Sequence, residues 1–273
     1  MIKLIATDLD GTLMYIDHLT VTKRTVNALK AAHEKGVKIA ITTGRPMALI
    51  GNVIEQVPFV DYVVYSNGAC VFDRNADKII YSNLIPNKQA AEIIKYFLDS
   101  KVFFEIYVDG KSHYQLGTED LFDNTGFPAE FIDEVVKTMI GHNDLLEYLG
   151  DKGIEKITLY SVRDSDYEKY ENKLLSMTLS VASSFKGNLE ATAGTANKGE
   201  AIKGLCKELG ITAEDCMCFG DAGNDKPMLE FARYSFAMEN GTDDCKAAAK
   251  FIAKTNAQDG LAMAVEEYVL KEQ

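Results

Sequence analysis

IATDLDGTLM, residues 5–14, ends an apolar run on two carboxylates. Ile2, Leu4, Ile5 and Ala6 give the run the character of a buried strand, and Asp8 and Asp10 stand two residues apart where it stops, with Gly11 next. Reading outward, a helix-like stretch (about Thr22 to Lys35) is stopped by Gly36, a residue suited to a helix C-terminus. A second apolar strand, VKIAIT, follows, then a helix opened by Pro46, then a third strand, YVVY. Near-continuous apolar strands separated by helices predict a parallel sheet covered on both faces, an α/β fold.

From about Ser82 the texture changes. AAEIIKYFLDS reads as an amphipathic helix, VFFEIYVDG as a strand ending in Asp-Gly turn chemistry, and KSHYQLG as its hairpin partner. IEKITLYSV is a further strand, followed by a charged helix (about Asp164 to Ser176) and TLSVASS. This middle third reads as an α+β unit with antiparallel strands. After Lys198 the first texture returns, with strands CMCFG, YSFAM and FIA between helices, the last over about Gly260 to Leu270. The expected organisation is a discontinuous α/β domain, residues 1–82 plus 189–273, interrupted by an α+β domain over 83–188.

The 273 residues are 47% hydrophobic, enough for packed cores, and the formal net charge is −12. So acidic a chain lacks the footprint of a nucleic-acid or anionic-membrane binder. No signal peptide and no membrane-spanning run is expected. The five cysteines, Cys70, Cys206, Cys216, Cys218 and Cys245, read as reduced, buried residues of a cytoplasmic protein; Cys216 and Cys218 lack the partners a zinc site needs. His18, His33, His113 and His142 are scattered and receive no role.

Three polar clusters fall where strands run out: Asp8-Leu-Asp10-Gly11-Thr12, Thr42-Thr43-Gly44-Arg45-Pro46, and Gly220-Asp221-Ala-Gly-Asn224-Asp225. Each alone is also ordinary turn chemistry. Open α/β sheets bind ligands outside the carboxyl ends of their strands, so the three can meet in space. Two carboxylates about 4 Å apart repel by roughly 4 kcal/mol at an effective dielectric near 20. If Asp8, Asp10 and Asp221 converge, a cation belongs among them, and oxygen-only ligands suit Mg²⁺. Helix N-termini at Thr43-Gly44 and near Asn224 would offer N–H groups to an anion. Lys198, in TANKGEA, opens a helix that Asn197 can cap, with Glu200 completing a capping-box-like pair. A lysine there opposes the helix dipole. It is either solvated or faces an anion.

D-x-D-G-T, T-G-R, N-K-G and G-D-x-x-N-D, in that order, resemble the four motifs of the haloacid dehalogenase (HAD) superfamily. The insertion resembles its type C2 cap. IKLIATDLDGTL, SNGA at Ser66 and QDGLAMAVEEYV look like the Cof-type phosphatases. The resemblance implies a Rossmann-like parallel-sheet core with an inserted α+β cap that closes over the site. It implies Asp8 as the nucleophile that becomes an aspartyl phosphate, and Asp10 as general acid, then base. Mg²⁺ would be held by Asp8, the Asp10 carbonyl and Asp221. Thr43, Gly44, Lys198 and Asn224 would bind phosphate, with Asp225, Asn67 and Arg45 in support. Arg45 either reaches phosphate or staples its loop, and Asn67 is otherwise a turn residue. A catalytic acid needs a raised pKa, which neighbouring carboxylates would give Asp10. Tyr107, Asp109 and His113 on the cap hairpin are either substrate readers or packed and turn residues. Glu239, where relatives often carry Gly, receives no role.

The function expected is a Mg²⁺-dependent phosphatase of small phosphorylated metabolites: sugar phosphates, pyridoxal phosphate or flavin mononucleotide. A phosphosugar mutase and a non-catalytic phosphometabolite binder are the alternatives; dehalogenase activity would need neither Asp10 nor Mg²⁺. A monomer or homodimer is expected.

Overall fold

The chain alternates strand and helix from its first residues, and the computed structural model describes residues 1–122, 129–183 and 186–271. The first strands are β1 (Leu4–Asp8), β2 (Lys38–Thr42), β3 (Tyr62–Tyr65), β4 (Cys70–Asp73) and β5 (Lys78–Ser82). Next come β6 (Phe103–Val108), β7 (Lys111–Gln115), β8 (Met139–His142), β9 (Lys156–Tyr160), β10 (Leu179–Ala182) and β11 (Leu189–Ala193). The last are β12 (Cys216–Gly220), β13 (Tyr234–Met238) and β14 (Phe251–Ala253). Among the described residues these strands form two sheets, one in each of two compact units.

The first unit comprises Met1–Arg45, Ile50–Ser82 and Asn197–Gln273. Its eight-stranded sheet has the order β14-β13-β12-β1-β2-β3-β4-β5. The six strands from β14 to β3 are parallel, as their unbroken apolar runs require. β1 lies between β2 and β12, with Leu4 beside both Lys38 and Cys216. The strand order therefore reverses at β1, where a doubly wound sheet opens a crevice at its carboxyl edge. One face packs Leu4, Ala6, Val64 and Cys218 against Ile202, Leu205 and Leu229. β4 and β5 are antiparallel additions at the edge, a pair the sequence reading passed over; β5 is largely exposed and carries little period-two signal. All five cysteines are buried, and Cys206 Sγ lies 3.2 Å from Cys216 Sγ.

The second unit comprises Pro46–Leu49 and Asn83–Ala196. Its six-stranded sheet has the order β10-β11-β9-β6-β7-β8, antiparallel except between β7 and β8. Ile106, Ile157, Leu159, Leu189 and Ala191 form its core with Ile93, Phe97 and Leu174 of the flanking helices. The Asp-Gly turn closes the β6–β7 hairpin, and both Asp109 and Gly110 have positive φ (52° and 72°). The return to the first unit falls at Asn197 rather than residue 189, because β11 pairs with β9 and β10. Pro46 does not open the helix after β2: a 3₁₀ turn (Met47–Leu49) follows it, and the helix begins at Gly51. Ala48 N donates instead to the Gly110 carbonyl.

Candidate active site

β1 is buried along its whole length and delivers Asp8 at its carboxyl end, opposite Thr42 of β2. The chain then turns tightly through Leu9–Leu13, and Gly11 makes the turn possible with φ +80°. A Cβ on Gly11 would lie 2.3 Å from Asp221 Oδ2, so the turn also brings its backbone onto the end of β12. Thr12 Oγ1 donates to Asp221 Oδ1 at 3.0 Å. On the far side, Asp225 folds its carboxylate back to accept from the Asp221 and Ala222 amides at 2.9 and 3.0 Å.

Lys198 opens the helix Lys198–Leu209, capped by Asn197, whose Oδ1 accepts from the Glu200 amide at 2.9 Å. The Glu200 carboxylate takes Lys203 as its partner at 2.7 Å, so the reciprocal half of the expected capping box is replaced by an ion pair. Lys198 is wholly buried, and its Nζ donates to Asp8 Oδ1 at 2.5 Å and Asp225 Oδ1 at 2.6 Å. The open question of a solvated or an anion-facing lysine is settled: it faces two carboxylates.

Oxygens of Asp8, Asp221 and Asp225 lie within 4.8 Å of one another. Three carboxylates thus meet one ammonium. Burial, with Asp225, Asp221 and Asp10 adding their charge, pushes the Asp8 carboxyl well up against the pull of Lys198. Burial and Asp225 raise the Asp221 carboxyl to about 6. Burial disfavours the Lys198 cation, but Asp225 and Asp8 outweigh it and raise its pKa.

Asp10 departs from expectation. Arg45 binds its carboxylate with both arms, Nε to Oδ2 at 2.9 Å and Nη2 to Oδ1 at 2.6 Å. His18 Nδ1 lies 2.8 Å from the same Oδ1. Burial favours the neutral acid, but the His18 hydrogen bond and the Arg45 charge outweigh it and hold the Asp10 carboxyl far below the usual range. The same hydrogen bond raises the His18 pKa. Arg45 therefore holds Asp10, and the neighbouring carboxylates do not set its charge.

Thr43, Gly44 and Asn67 close the site from β2 and β3. The Thr43 amide donates to the Val64 carbonyl, its hydroxyl accepts from the Arg45 amide at 3.1 Å, and its carbonyl accepts from the Asn67 amide at 3.0 Å. These bonds carry 43–45 toward the end of β3, so Thr43 and Gly44 lie in a loop rather than at a helix N-terminus. Asn67 has φ +56°, and its Oδ1 accepts from Asn224 Nδ2 at 3.1 Å. A Cβ on Gly44 would reach 2.8 Å from that Oδ1, so a side chain there would displace it.

All ten residues singled out from the sequence therefore belong to one connected cluster in the first unit. Sequence reasoning missed His18, whose loop alone brings it to Asp10. It also missed Asn240, which follows Glu239 and whose Nδ2 donates to the Gly11 carbonyl at 2.8 Å. Glu239 pairs with Lys254 at 3.4 Å on the surface. In the second unit, Tyr107 is buried with its hydroxyl on Glu105 at 2.7 Å, and His113 packs against His142 and Tyr148, which also stack on each other; Asp109 stays an exposed turn residue. Burial lowers His113 to about 4.

Residues 5–265 match the haloacid dehalogenase-like hydrolases. The chain belongs to that family. Phosphatase YwpJ of Bacillus subtilis (strain 168) is 26% identical over 95% of this chain and 97% of its own length. The 5-amino-6-(5-phospho-D-ribitylamino)uracil phosphatase YcsE of the same strain is 29% identical, covering 98% of this chain and 96% of its own. The solved structure of the HAD subclass IIB sugar phosphatase BT4131 superposes with a TM-score of 0.82 at 26% identity, over 97% of this chain and 98% of that one. The Cof-type resemblance thus holds across the chain, and this HAD protein is a phosphoric monoester hydrolase acting on phosphorylated substrates. No helix among its described residues is long and apolar enough to cross a membrane.

Proposed function

We propose that this HAD phosphatase is Mg²⁺-dependent and hydrolyses small phosphorylated metabolites, sugar phosphates first among them, through an aspartyl phosphate on Asp8. The observation that carries the reading is the buried Asp8 carboxylate, fixed through one oxygen by Lys198 at the carboxyl end of β1. An Asp8 oxygen attacks phosphorus, the ester P–O bond breaks, and the Asp10 proton goes to the leaving alkoxide. Asp10 then takes a proton from water as its oxygen attacks the acyl phosphate, which releases Asp8 and inorganic phosphate. Asp10 is ionised at rest. An arriving phosphate dianion opposes that charge and favours the protonated acid. Lys198, the Thr43 hydroxyl, the Gly44 amide and Asn224 bind the phosphoryl oxygens, with Asp225 and Asn67 holding Lys198 and Asn224 in place.

Three carboxylates against one ammonium leave negative charge that a divalent cation would neutralise, and the donors are hard oxygens suited to Mg²⁺. The Asp8 and Asp221 carboxylates and the Asp10 main-chain carbonyl would hold it. When bound, it screens the charge of the phosphoryl oxygens. Sugar phosphates and the riboflavin-type phosphate named for YcsE are the first substrates to try.

The test is inorganic phosphate release from a panel of sugar phosphates, pyridoxal phosphate and flavin mononucleotide, with Mg²⁺ and with EDTA. Release that needs Mg²⁺ is expected. Release that persists in EDTA removes the metal from the reading, and no release from a folded protein removes the hydrolase reading.

A second result follows from the Asp221 carboxyl near 6. An acid raised above its unfolded value, about 4, opposes folding increasingly as pH climbs from about 4 to 6, and by a constant amount above that. Mg²⁺ binds the ionised form and lifts this penalty. Its Tm increment by calorimetry should therefore be larger at about pH 7.5 than at about pH 5. Equal increments would place the ion elsewhere.

A further inference from the structure

His18 sits in a loop built to hold it in an unfavourable conformation. Its φ is +58°, in the left-handed region that ordinary side chains avoid. The loop is fixed from several directions. Tyr15 N donates to the Thr20 carbonyl at 2.7 Å, and His18 N donates to the Tyr15 carbonyl at 3.0 Å. Asp17 Oδ1 accepts from the Leu19 and Thr20 amides, both at 2.9 Å. Gln56 Nε2 donates to the Leu19 carbonyl at 2.8 Å, and Arg45 Nη2 to the His18 carbonyl at 3.2 Å. One guanidinium thus holds both the His18 backbone and the Asp10 side chain that the imidazole touches.

The two Asp10 oxygens are not equivalent in this setting. Oδ1 takes two donors, His18 Nδ1 and Arg45 Nη2, and Oδ2 takes one, Arg45 Nε. A carboxylate oxygen accepts along two lone pairs, so Oδ1 is filled and Oδ2 keeps one position. We propose that His18 is a positioning residue for Asp10: with Arg45 it anchors Oδ1, leaving Oδ2 as the oxygen that carries the proton to the leaving group. This rests on the reading of Asp10 as the general acid. Without the imidazole each oxygen takes one donor from Arg45 and keeps one position, so the proton can sit on either.

The test compares two leaving groups. An alkoxide needs a proton to depart; p-nitrophenolate leaves without one. The value of kcat/KM, which reports steps up to leaving-group departure, is measured for p-nitrophenyl phosphate and for the alkyl phosphate that the native protein hydrolyses fastest. His18→Ala is expected to lose roughly ten- to a hundredfold on the alkyl ester and less than about threefold on the aryl ester. His18→Asn accepts a positive φ and presents an amide N–H close to the position of Nδ1. It should recover the alkyl reaction to within about threefold of native. An equal loss on both esters, or no loss on the alkyl ester, overturns the proposal. Asp10→Asn separates this from the reading beneath it. If that variant loses the alkyl reaction selectively while His18→Ala does not, only the role of His18 fails. If Asp10→Asn treats both esters alike, the acid assignment fails and the role of His18 with it.

Discussion

Asp8→Asn is expected to lose phosphatase turnover by roughly 10⁴-fold or more while melting no lower than the native protein. The amide keeps the shape and can still accept from Lys198, but it cannot form the acyl phosphate. The stability half of the prediction comes from the carboxylate's surroundings. Burial and three neighbouring acids push Asp8 toward its neutral form, so the folded state holds its charge at a cost. A neutral residue relieves that cost, and Lys198 keeps its second partner, Asp225, at 2.6 Å. Loss of activity with an unchanged or raised Tm separates a reacting group from a structural one. Residual turnover above about a hundredth of native would show that Asp8 does not form the covalent bond.

Lys198→Met should be the most destabilising single change in the cluster, by about 3–5 kcal/mol at neutral pH. Lys198 and Asp225 have no exposed side-chain surface, and Asp8 has little, so removing the ammonium strands two buried carboxylates. Methionine fills most of the space, so the loss is electrostatic rather than a cavity. Lowering the pH should shrink the deficit, because Asp8 is already disposed to take a proton. Adding Asp8→Asn to Lys198→Met should recover part of it, a coupling that urea unfolding of the two single variants and the double variant would measure. An unchanged urea midpoint for Lys198→Met would mean that the ion cluster adds nothing to folding.

Much of this site was legible in the sequence because its residues are tied to strand ends. Asp8, Thr43 and Asp221 each follow an apolar run, and a doubly wound sheet gathers such positions at one edge. What was not legible depends on paths between elements. The clamp of Arg45 on Asp10 joins the ends of β2 and β1, and with the His18 hydrogen bond it reverses the pKa shift that neighbouring carboxylates would give. His18 arrives through a loop whose course is set by Asp17, Gln56 and Arg45, and spacing carries no trace of it. Spacing leaves Lys198 either solvated or facing an anion, and only the fold sets Asp8 and Asp225 around it. Pro46 suits a helix start but is drawn into a 3₁₀ turn by the Gly110 carbonyl that holds Ala48. Residues 189–193 carry no clear strand signal in the sequence, and only the pairing of β11 with β9 and β10 assigns them to the second sheet.

The pairing of β1 with β12 sets an order of assembly. Leu4 meets Cys216, so the first strand waits for most of the chain before its second neighbour exists. Every strand pairing of the second sheet, by contrast, lies between Phe103 and Ala193. On a ribosome the inserted unit can close while β1 to β5 lack β12, β13 and β14, with the edge of β1 unpaired. Asp8 leaves the ribosome early, but Lys198, Asp221 and Asp225 emerge late, so a prematurely terminated chain carries the nucleophile without the charges that govern it. Such a fragment would lack the partners of Asp8 and expose the edge of β1 that β12 covers.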